Sequence, residues 1–361
     1  HVRTMNSLLT HTARLAKSRP AVLAFQARGL CSTEKGKEKK KKPIVTSAPA
    51  PVHKNITIHS LANKKKKGVP ISMVTAYDFP SAVHVDKAGI DILLVGDSLG
   101  MVELGHDTTI PVTLDDMIHH CKAVVRGCRR PLLVGDLPFG TYEACPKTAA
   151  QNAIRLMKES GVDAVKIEGG KKRIESISAI VGCGIAVMGH IGLTPQSFSG
   201  LGGFKAQGRS AQAAYSLIED ARALEAAGCF ATVIECVPAV VAQEVAKSVN
   251  IPVIGIGAGP YTDGQVLVYH DMLGMMQHYH HAEFTPQFCK QYATVGHLIQ
   301  NGLAEYKREV EKREFPSLEY SPYKITAKEE KLFLDMIKSD GQNSRESGTD
   351  FEEEEESIKV Y

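Results

Sequence analysis

The stretches Asp91-Ile-Leu-Leu-Val-Gly-Asp97 and Pro131-Leu-Leu-Val-Gly-Asp136 decide how this chain is read. Each is a short β-rich apolar run that breaks at a glycine and ends in a carboxylate. Runs of the same kind recur, giving a set at 71–77, 91–96, 131–135, 164–167, 186–189, 231–234, 252–256 and 266–270, separated by helix-length amphipathic stretches. Eight βα units in alternation predict a parallel sheet closed by helices, an α/β (β/α)8 TIM barrel. Helix signals support the alternation. Thr113 and Asp116 have capping-box spacing at the start of 113–126. Ser210 can cap a helix whose Leu217, Ala221 and Leu224 share one face and which Gly228 ends. An open doubly wound sheet is the structural alternative. It finds little support, because no GxGxxG follows the first strand and the glycine-dense turn Gly255-Ile-Gly-Ala-Gly259 comes late and breaks its spacing at Pro260.

Outside the barrel, expected over 53–318, the composition changes. Residues 1–33 contain no Asp or Glu, while Arg3, Arg14, Lys17, Arg19 and Arg28 are spread among Ser, Thr, Ala and Leu. That is the profile of an organellar presequence, mitochondrial or plastid, and it lacks the compact apolar stretch of a secretory signal. A lysine-rich run at 37–42 and a Pro/Ala/Val stretch complete a basic linker to residue 52. At the far end, the extension 319–361 holds the acidic block 350–356 after a Ser/Gly/Asn-rich run, and is expected to be largely disordered.

Whole-chain numbers exclude several partners. Lys+Arg 43 against Asp+Glu 40 leaves no global field for nucleic acid or an anionic membrane. No apolar run approaches the roughly 20 residues that cross a bilayer as a helix. Eight cysteines without a CxxC argue against a disulfide framework and a structural zinc site, and favour a reducing compartment. A small-molecule substrate is the natural partner.

In a barrel, the residue just past the C-terminal end of each strand points into the site. Those positions are Asp97 and Ser98, Asp136, Lys166 with Glu168, His190, and Glu235. A single carboxylate after a strand is commonly a helix cap; several at equivalent ends repel one another and call for a cation or protons. Magnesium, a hard ion held through one or two carboxylates plus water and substrate oxygens, answers that need. Asp97 and Asp136 suit direct ligation, and Glu168 suits contact with the ion or one of its waters. Zinc would collect His and Cys, and only His190 stands at a strand end; His119, His120, His278, His280 and His281 read as surface or satisfied residues. A 2-oxo acid chelated to such an ion is acidified at the neighbouring carbon, and enolisation then needs a base. Glu235 is the candidate, flanked by apolar Val233, Ile234 and Val237, surroundings of the kind that raise a carboxylate's pKa. Lys166 supplies positive charge and Ser98 a hydroxyl for the substrate carboxylate or the developing enolate. A Schiff-base role for Lys166 ranks lower, since neighbouring acids favour the protonated amine. Strand alternation points Cys236 away from the pocket if Glu235 points in, which makes it a packing residue.

At these residues the chain resembles a known family. Val95-Gly-Asp-Ser-Leu-Gly100, Gly105-His-Asp-Thr-Thr109, Asp136-Leu-Pro-Phe139, Val165-Lys-Ile-Glu-Gly-Gly170, Gly189-His-Ile-Gly-Leu-Thr-Pro195, Gly202-Gly-Phe-Lys-Ala-Gln-Gly-Arg209, Ile234-Glu-Cys-Val-Pro238 and Ile254-Gly-Ile-Gly-Ala-Gly259 together look like ketopantoate hydroxymethyltransferase, in order over most of 56–316. The resemblance implies a barrel of the phosphoenolpyruvate/pyruvate-binding type assembled as a homo-oligomer, decameric in the family. It implies transfer of a hydroxymethyl group from 5,10-methylenetetrahydrofolate to 3-methyl-2-oxobutanoate, giving 2-dehydropantoate and tetrahydrofolate on the route to pantothenate and coenzyme A. By motif, Asp97, Asp136 and Glu168 match the Mg2+ site; Asp97, Ser98, Asp136 and Lys166 match the oxo-acid site; and Glu235 matches the proton acceptor. The basic N-terminal tail and the acidic C-terminal one depart from bacterial members and imply a eukaryotic, mitochondrial form. A magnesium-dependent 2-oxo-acid lyase or mutase of the same barrel superfamily is the alternative, but no cysteine follows strand four as those enzymes use. A non-catalytic scaffold barrel is the other, and it would not need Asp97, Asp136 and Glu235 together.

Overall fold

Ala164, Lys166 and Glu168 alternate along one strand, and that alternation carries the interior from an apolar floor to a charged mouth. The computed structural model describes residues 55–276, 286–321 and 323–346. The basic N-terminal segment, the lysine-rich linker, His278, His280, His281 and the acidic block 350–356 lie outside the described residues.

Eight parallel strands close a barrel in sequence order, β1 (Ile71–Thr75), β2 (Ile92–Val95), β3 (Leu132–Asp136), β4 (Ala164–Glu168), β5 (Ala186–Gly192), β6 (Ala231–Glu235), β7 (Val253–Ile256) and β8 (Gly264–Leu267), with β8 pairing back onto β1. Helix α1 (Ile58–Lys66) precedes the barrel. The strands are then joined by α2 (Phe79–Lys87), α3 (Leu99–Val102) with α4 (Leu114–Gly127), α5 (Pro146–Ser160), α6 (Ile174–Gly182), α7 (Phe198–Leu201) with α8 (Ala211–Ala226), and α9 (Ala239–Ser248). The α4 capping box forms as expected, with Thr113 accepting from the Asp116 N–H and Asp116 accepting from the Thr113 N–H. Ser210 caps α8, whose Leu217, Ala221 and Leu224 are its buried residues.

Two apolar layers follow from the strand pleat. Ile71, Met73, Ile92, Leu94, Leu132, Val134, Met188 and Val233 fill the barrel, while Leu93, Val95, Leu133, Val165, Val187 and Ile234 point outward into the helices. At the floor, α1 buries Leu61 against the inner layer and is tied down by Lys64 to Asp91 at 2.7 Å and Lys65 to Asp263 at 2.8 Å.

Three expectations differ from the structure. The β7 to β8 connection contains no helix, because its short glycine-bearing turn, 257–263, has no room for one. The eighth strand ends at Leu267, and Tyr269–Met272 forms α10, a short helical turn that buries His270. The extension after 318 carries a helix, Ala327–Glu346, where disorder was expected. Its first half, rich in Ala, Lys, Glu and Leu, has high helix propensity, and the Thr326 hydroxyl accepts from the Glu329 N–H at its start.

Candidate active site

The charged end of the inward alternation is one connected group. Asp136 follows Leu132 and Val134 on β3, Lys166 and Glu168 follow Ala164 on β4, His190 follows Met188 on β5, and Glu235 follows Val233 on β6. Asp97 and Ser98 come from the turn after β2, where the Asp97 N–H donates to Asp136 Oδ2 at 3.0 Å. All seven strand-end residues expected from the sequence line one cavity of about 710 Å3 at the mouth of the barrel.

Lys166 Nζ lies 2.8 Å from Asp136 Oδ1, both side chains at most 5 % exposed. Burial alone would pull the lysine pKa down; the carboxylates of Asp136, Glu168 and Asp97 more than offset it, so the ammonium is held protonated above its ordinary value. That leaves no neutral amine for a Schiff base. Burial, reinforced by Asp136 and Glu168, pushes the Asp97 carboxyl up to about 8. Asp136 is raised by burial as well, against the pull of Lys166. The pocket thus holds more carboxylate than its own cations settle.

His190, left without a role above, is central. Its Nδ1 lies 3.3 Å from Glu168 Oε1 and its Nε2 lies 3.2 Å from Glu235 Oε2; these are charge contacts, since among the described residues neither ring nitrogen has an aligned hydrogen bond. Burial pulls the imidazole pKa down, but the Glu168 charge and the contacts to both glutamates dominate and raise it to about 9. His190 is therefore an imidazolium near neutrality, and it holds Glu168 below the ordinary carboxylate range against the opposing effect of burial. The apolar setting expected for Glu235 is thus replaced on one side by a charged imidazole.

Cys236 corrects a second expectation. It lines the cavity beside Glu235, because β6 ends there and Cys236 takes a left-handed φ of 52°, so strand alternation no longer applies. Its N–H donates to Ile256 O and its carbonyl accepts from the Gln207 N–H, both at 2.9 Å. Burial, with the Glu235 charge, pushes its thiol up to about 12, which suits packing and not nucleophilic attack. Ser98 is engaged by Tyr77, whose OH lies 2.8 Å from Ser98 Oγ.

The Glu235 backbone is seated on a glycine. Gly192 has φ +90°, and a Cβ there would stand 2.3 Å from Glu235 O. Gly192→Ala is expected to cost about 1–3 kcal/mol from the left-handed backbone alone and to displace Glu235, so activity should fall more than the melting temperature suggests. Wild-type turnover in a folded Gly192→Ala protein would show that this close approach is not needed.

Tyr142 and Gln196 also belong to the group and were not visible in the sequence. Gln196 Nε2 donates to Asp97 Oδ2 at 2.8 Å. Neither residue sits at a strand end, so no periodicity points to it.

Among the described residues, no three His, Cys, Asp or Glu side chains form a ready-made metal cage. A hard divalent cation requires less, since one or two carboxylates with water and substrate oxygens suffice. Asp97 and Asp136 fit that mode: both are buried, both are raised in pKa, and Asp136 Oδ1 has the Lys166 ion pair but no aligned hydrogen bond.

The ketopantoate hydroxymethyltransferase family matches residues 55–318, the whole barrel with every residue of the candidate site. The chain belongs to this family. Among relatives of the ketopantoate hydroxymethyltransferases, an Arabidopsis thaliana protein named 3-methyl-2-oxobutanoate hydroxymethyltransferase 1, mitochondrial, is 57% identical over 300 residues, covering 82% of this chain and 86% of that protein. A Heliobacterium modesticaldum protein named 3-methyl-2-oxobutanoate hydroxymethyltransferase is 54% identical over 268 residues, 74% of this chain and 95% of that one. Among solved structures, a phosphonopyruvate hydrolase crystallised with oxalate and Mg++ aligns over 81% of this chain and 98% of its own at TM-score 0.46 and 12% identity. The chain is an enzyme of the hydroxymethyltransferase class, built on the closed eight-stranded barrel expected from its βα alternation.

Proposed function

We propose that the chain transfers a hydroxymethyl group from 5,10-methylenetetrahydrofolate to 3-methyl-2-oxobutanoate, giving 2-dehydropantoate and tetrahydrofolate for pantothenate and coenzyme A synthesis. The observation that carries this reading is the buried group in which Asp97, Asp136 and Lys166 stand together while His190 bridges Glu168 to Glu235. With all members ionised, four carboxylates face two cationic groups, a surplus of two negative charges that a dication would balance. Asp97 and Asp136 would hold Mg2+ directly, with Glu168 acting through water because its oxygens are already occupied by His190 and the Gln196 N–H. When bound, Mg2+ supplies Lewis acidity toward the oxo-acid carbonyl.

The protein's own residues do the rest. Lys166 and Ser98 receive the substrate carboxylate and offset the charge that develops on the enolate oxygen. Glu235 accepts the C3 proton, and the C–H electron pair moves towards the carbonyl oxygen. Water cleaves both C–N bonds of the methylene bridge, its oxygen staying on the one-carbon unit and its two protons going to the folate nitrogens, so that tetrahydrofolate leaves. C3 of the enolate bonds to that carbon, whose oxygen takes back the proton held by Glu235 and becomes the product hydroxyl. His190 keeps Glu235 in place while its proton load changes.

The cavity volume lies within the roughly 300–1,000 Å3 of sites that hold drug-sized ligands, more than a five-carbon oxo acid needs. Phe198, Phe204 and Phe288 give its outer wall apolar faces suited to a planar donor. Gly257 permits one of them, since a Cβ there would meet the Phe288 ring at 2.7 Å.

The same reading includes a homo-oligomer, decameric by family resemblance. It is supported by the helix Val295–Glu311, on which Ile299, Leu303, Tyr306 and Val310 recur at helical spacing and lie exposed in the single chain. It also includes a mitochondrial address, supported by the basic composition of 1–33 and by the mitochondrial plant relative.

The test is deuterium exchange at C3 of 3-methyl-2-oxobutanoate, followed by NMR with and without Mg2+. Exchange that needs Mg2+ and stops on chelation is expected. No exchange under any condition, tetrahydrofolate included, would favour a lyase or mutase reaction in the same barrel.

A further inference from the structure

Asp97 comes from the turn after β2 and Glu168 from the end of β4, yet Gln196 touches both. Gln196, in the 3-10 turn Pro195–Ser197 after β5, donates Nε2 to Asp97 Oδ2 at 2.8 Å and to Leu137 O at 3.0 Å. Its backbone N–H donates to Glu168 Oε2 at 2.9 Å. The residue is buried behind the cavity-lining Asp97 and Glu168, 5 % exposed.

Tyr142 sets which way the amide points. Its hydroxyl accepts from the Glu168 N–H at 3.3 Å and donates to Gln196 Oε1. A carboxamide has one acceptor end and one donor end, so a donor at Oε1 leaves Nε2 for Asp97 and Leu137. The flipped amide would set its oxygen against a carboxylate and a carbonyl with no proton between them, which is costly in a buried site.

We infer that Gln196, oriented by Tyr142, is a positioning residue that clamps Asp97 to Glu168 and commits Asp97 Oδ2 to the protein, leaving the other oxygen of Asp97 for the divalent cation. The inference rests on the metal reading above. An amide suits this task better than a cation. Two neighbouring buried carboxylates must be held against their repulsion, but a lysine or arginine would cancel the negative charge that attracts the ion. A neutral amide N–H and a backbone N–H fix the geometry and leave that charge in place.

The experiment is Mn2+ binding to the purified full chain, read from the electron paramagnetic resonance signal of the free ion, with thermal unfolding of each variant. Gln196→Met is expected to weaken Mn2+ binding by about 10–100-fold, the usual effect of removing a group that orients a metal ligand. Tyr142→Phe should weaken it by a smaller factor. The double variant should bind no worse than Gln196→Met alone, since Tyr142 acts through Gln196. Wild-type affinity in both folded single variants overturns the clamp, and losses that multiply in the double variant overturn the role of Tyr142 through Gln196. If Gln196→Met does not fold, Tyr142→Phe decides by itself: weakened binding in a folded protein supports the clamp, and unchanged binding overturns it. Wild-type protein that binds no Mn2+ overturns the metal reading and the clamp with it, a result distinct from variants that bind as wild type does.

Discussion

Glu235→Gln is expected to lower turnover by roughly 10²–10⁴-fold, the usual contribution of a positioned base. The amide has nearly the shape of the carboxylate but cannot take up the C3 proton. The amide has the same reach as the carboxylate that lies 3.2 Å from His190 Nε2, so the side chain should keep its place beside the imidazole. Affinity for the oxo acid should therefore change little, because its carboxylate is assigned to Lys166 and Ser98. Isothermal titration with 3-methyl-2-oxobutanoate separates the two quantities, and C3 exchange should fall together with turnover. Lost binding in a folded Glu235→Gln protein would mean that Glu235 holds substrate and that the base lies elsewhere.

Asp136→Ala should damage metal binding, oxo-acid binding and stability at once. Asp136 ion-pairs with Lys166 and accepts from the Asp97 N–H, so its removal strands a buried ammonium and orphans a buried backbone donor. Breaking a buried pair from one side commonly costs about 3–5 kcal/mol. Asp97 and Glu168 remain as further counter-charges for Lys166, which places the expected loss at the lower end. Turnover should fall by about 10²–10³-fold, the scale for losing one preorganised polar group from a dry site. Asp136→Asn separates the effects. It keeps an acceptor for the Asp97 N–H and should recover part of the stability, but without the charge it should not recover Mg2+ affinity. Calorimetric melting and metal titration of the two variants make the comparison. A melting temperature equal to wild type in Asp136→Ala would show that the Lys166 pair contributes nothing to the fold.

The proposed site was partly legible because a parallel strand imposes a period of two. With Ala164 inside, Lys166 and Glu168 must also be inside, and the same holds for Val134 with Asp136 and Val233 with Glu235. His190 obeys the same rule after Met188. Its position could be read, but its role could not, since that depends on Glu168 and Glu235 standing on the strands at either side. Where the period fails, the reading fails. Cys236 leaves the extended region at φ 52° and reaches the wall that alternation denied it.

What the sequence determined by itself is the order of the eight strands, the barrel they close, and the set of carboxylates and lysine at the strand ends. These follow from local periodicity, from capping residues such as Thr113 and Ser210, and from the alternation of the pleat. Only the tertiary structure decided which of those groups touch. The Lys166–Asp136 pair, the His190 bridge and the Gln196 contacts join residues from separate βα units, and their distances depend on barrel closure. The protonation of the site was decided there too. Burial and neighbouring carboxylates raise Asp97, while the charge contacts between His190 and its glutamates raise His190 and lower Glu168 against the opposing effect of burial, all through space between residues that no local pattern brings together.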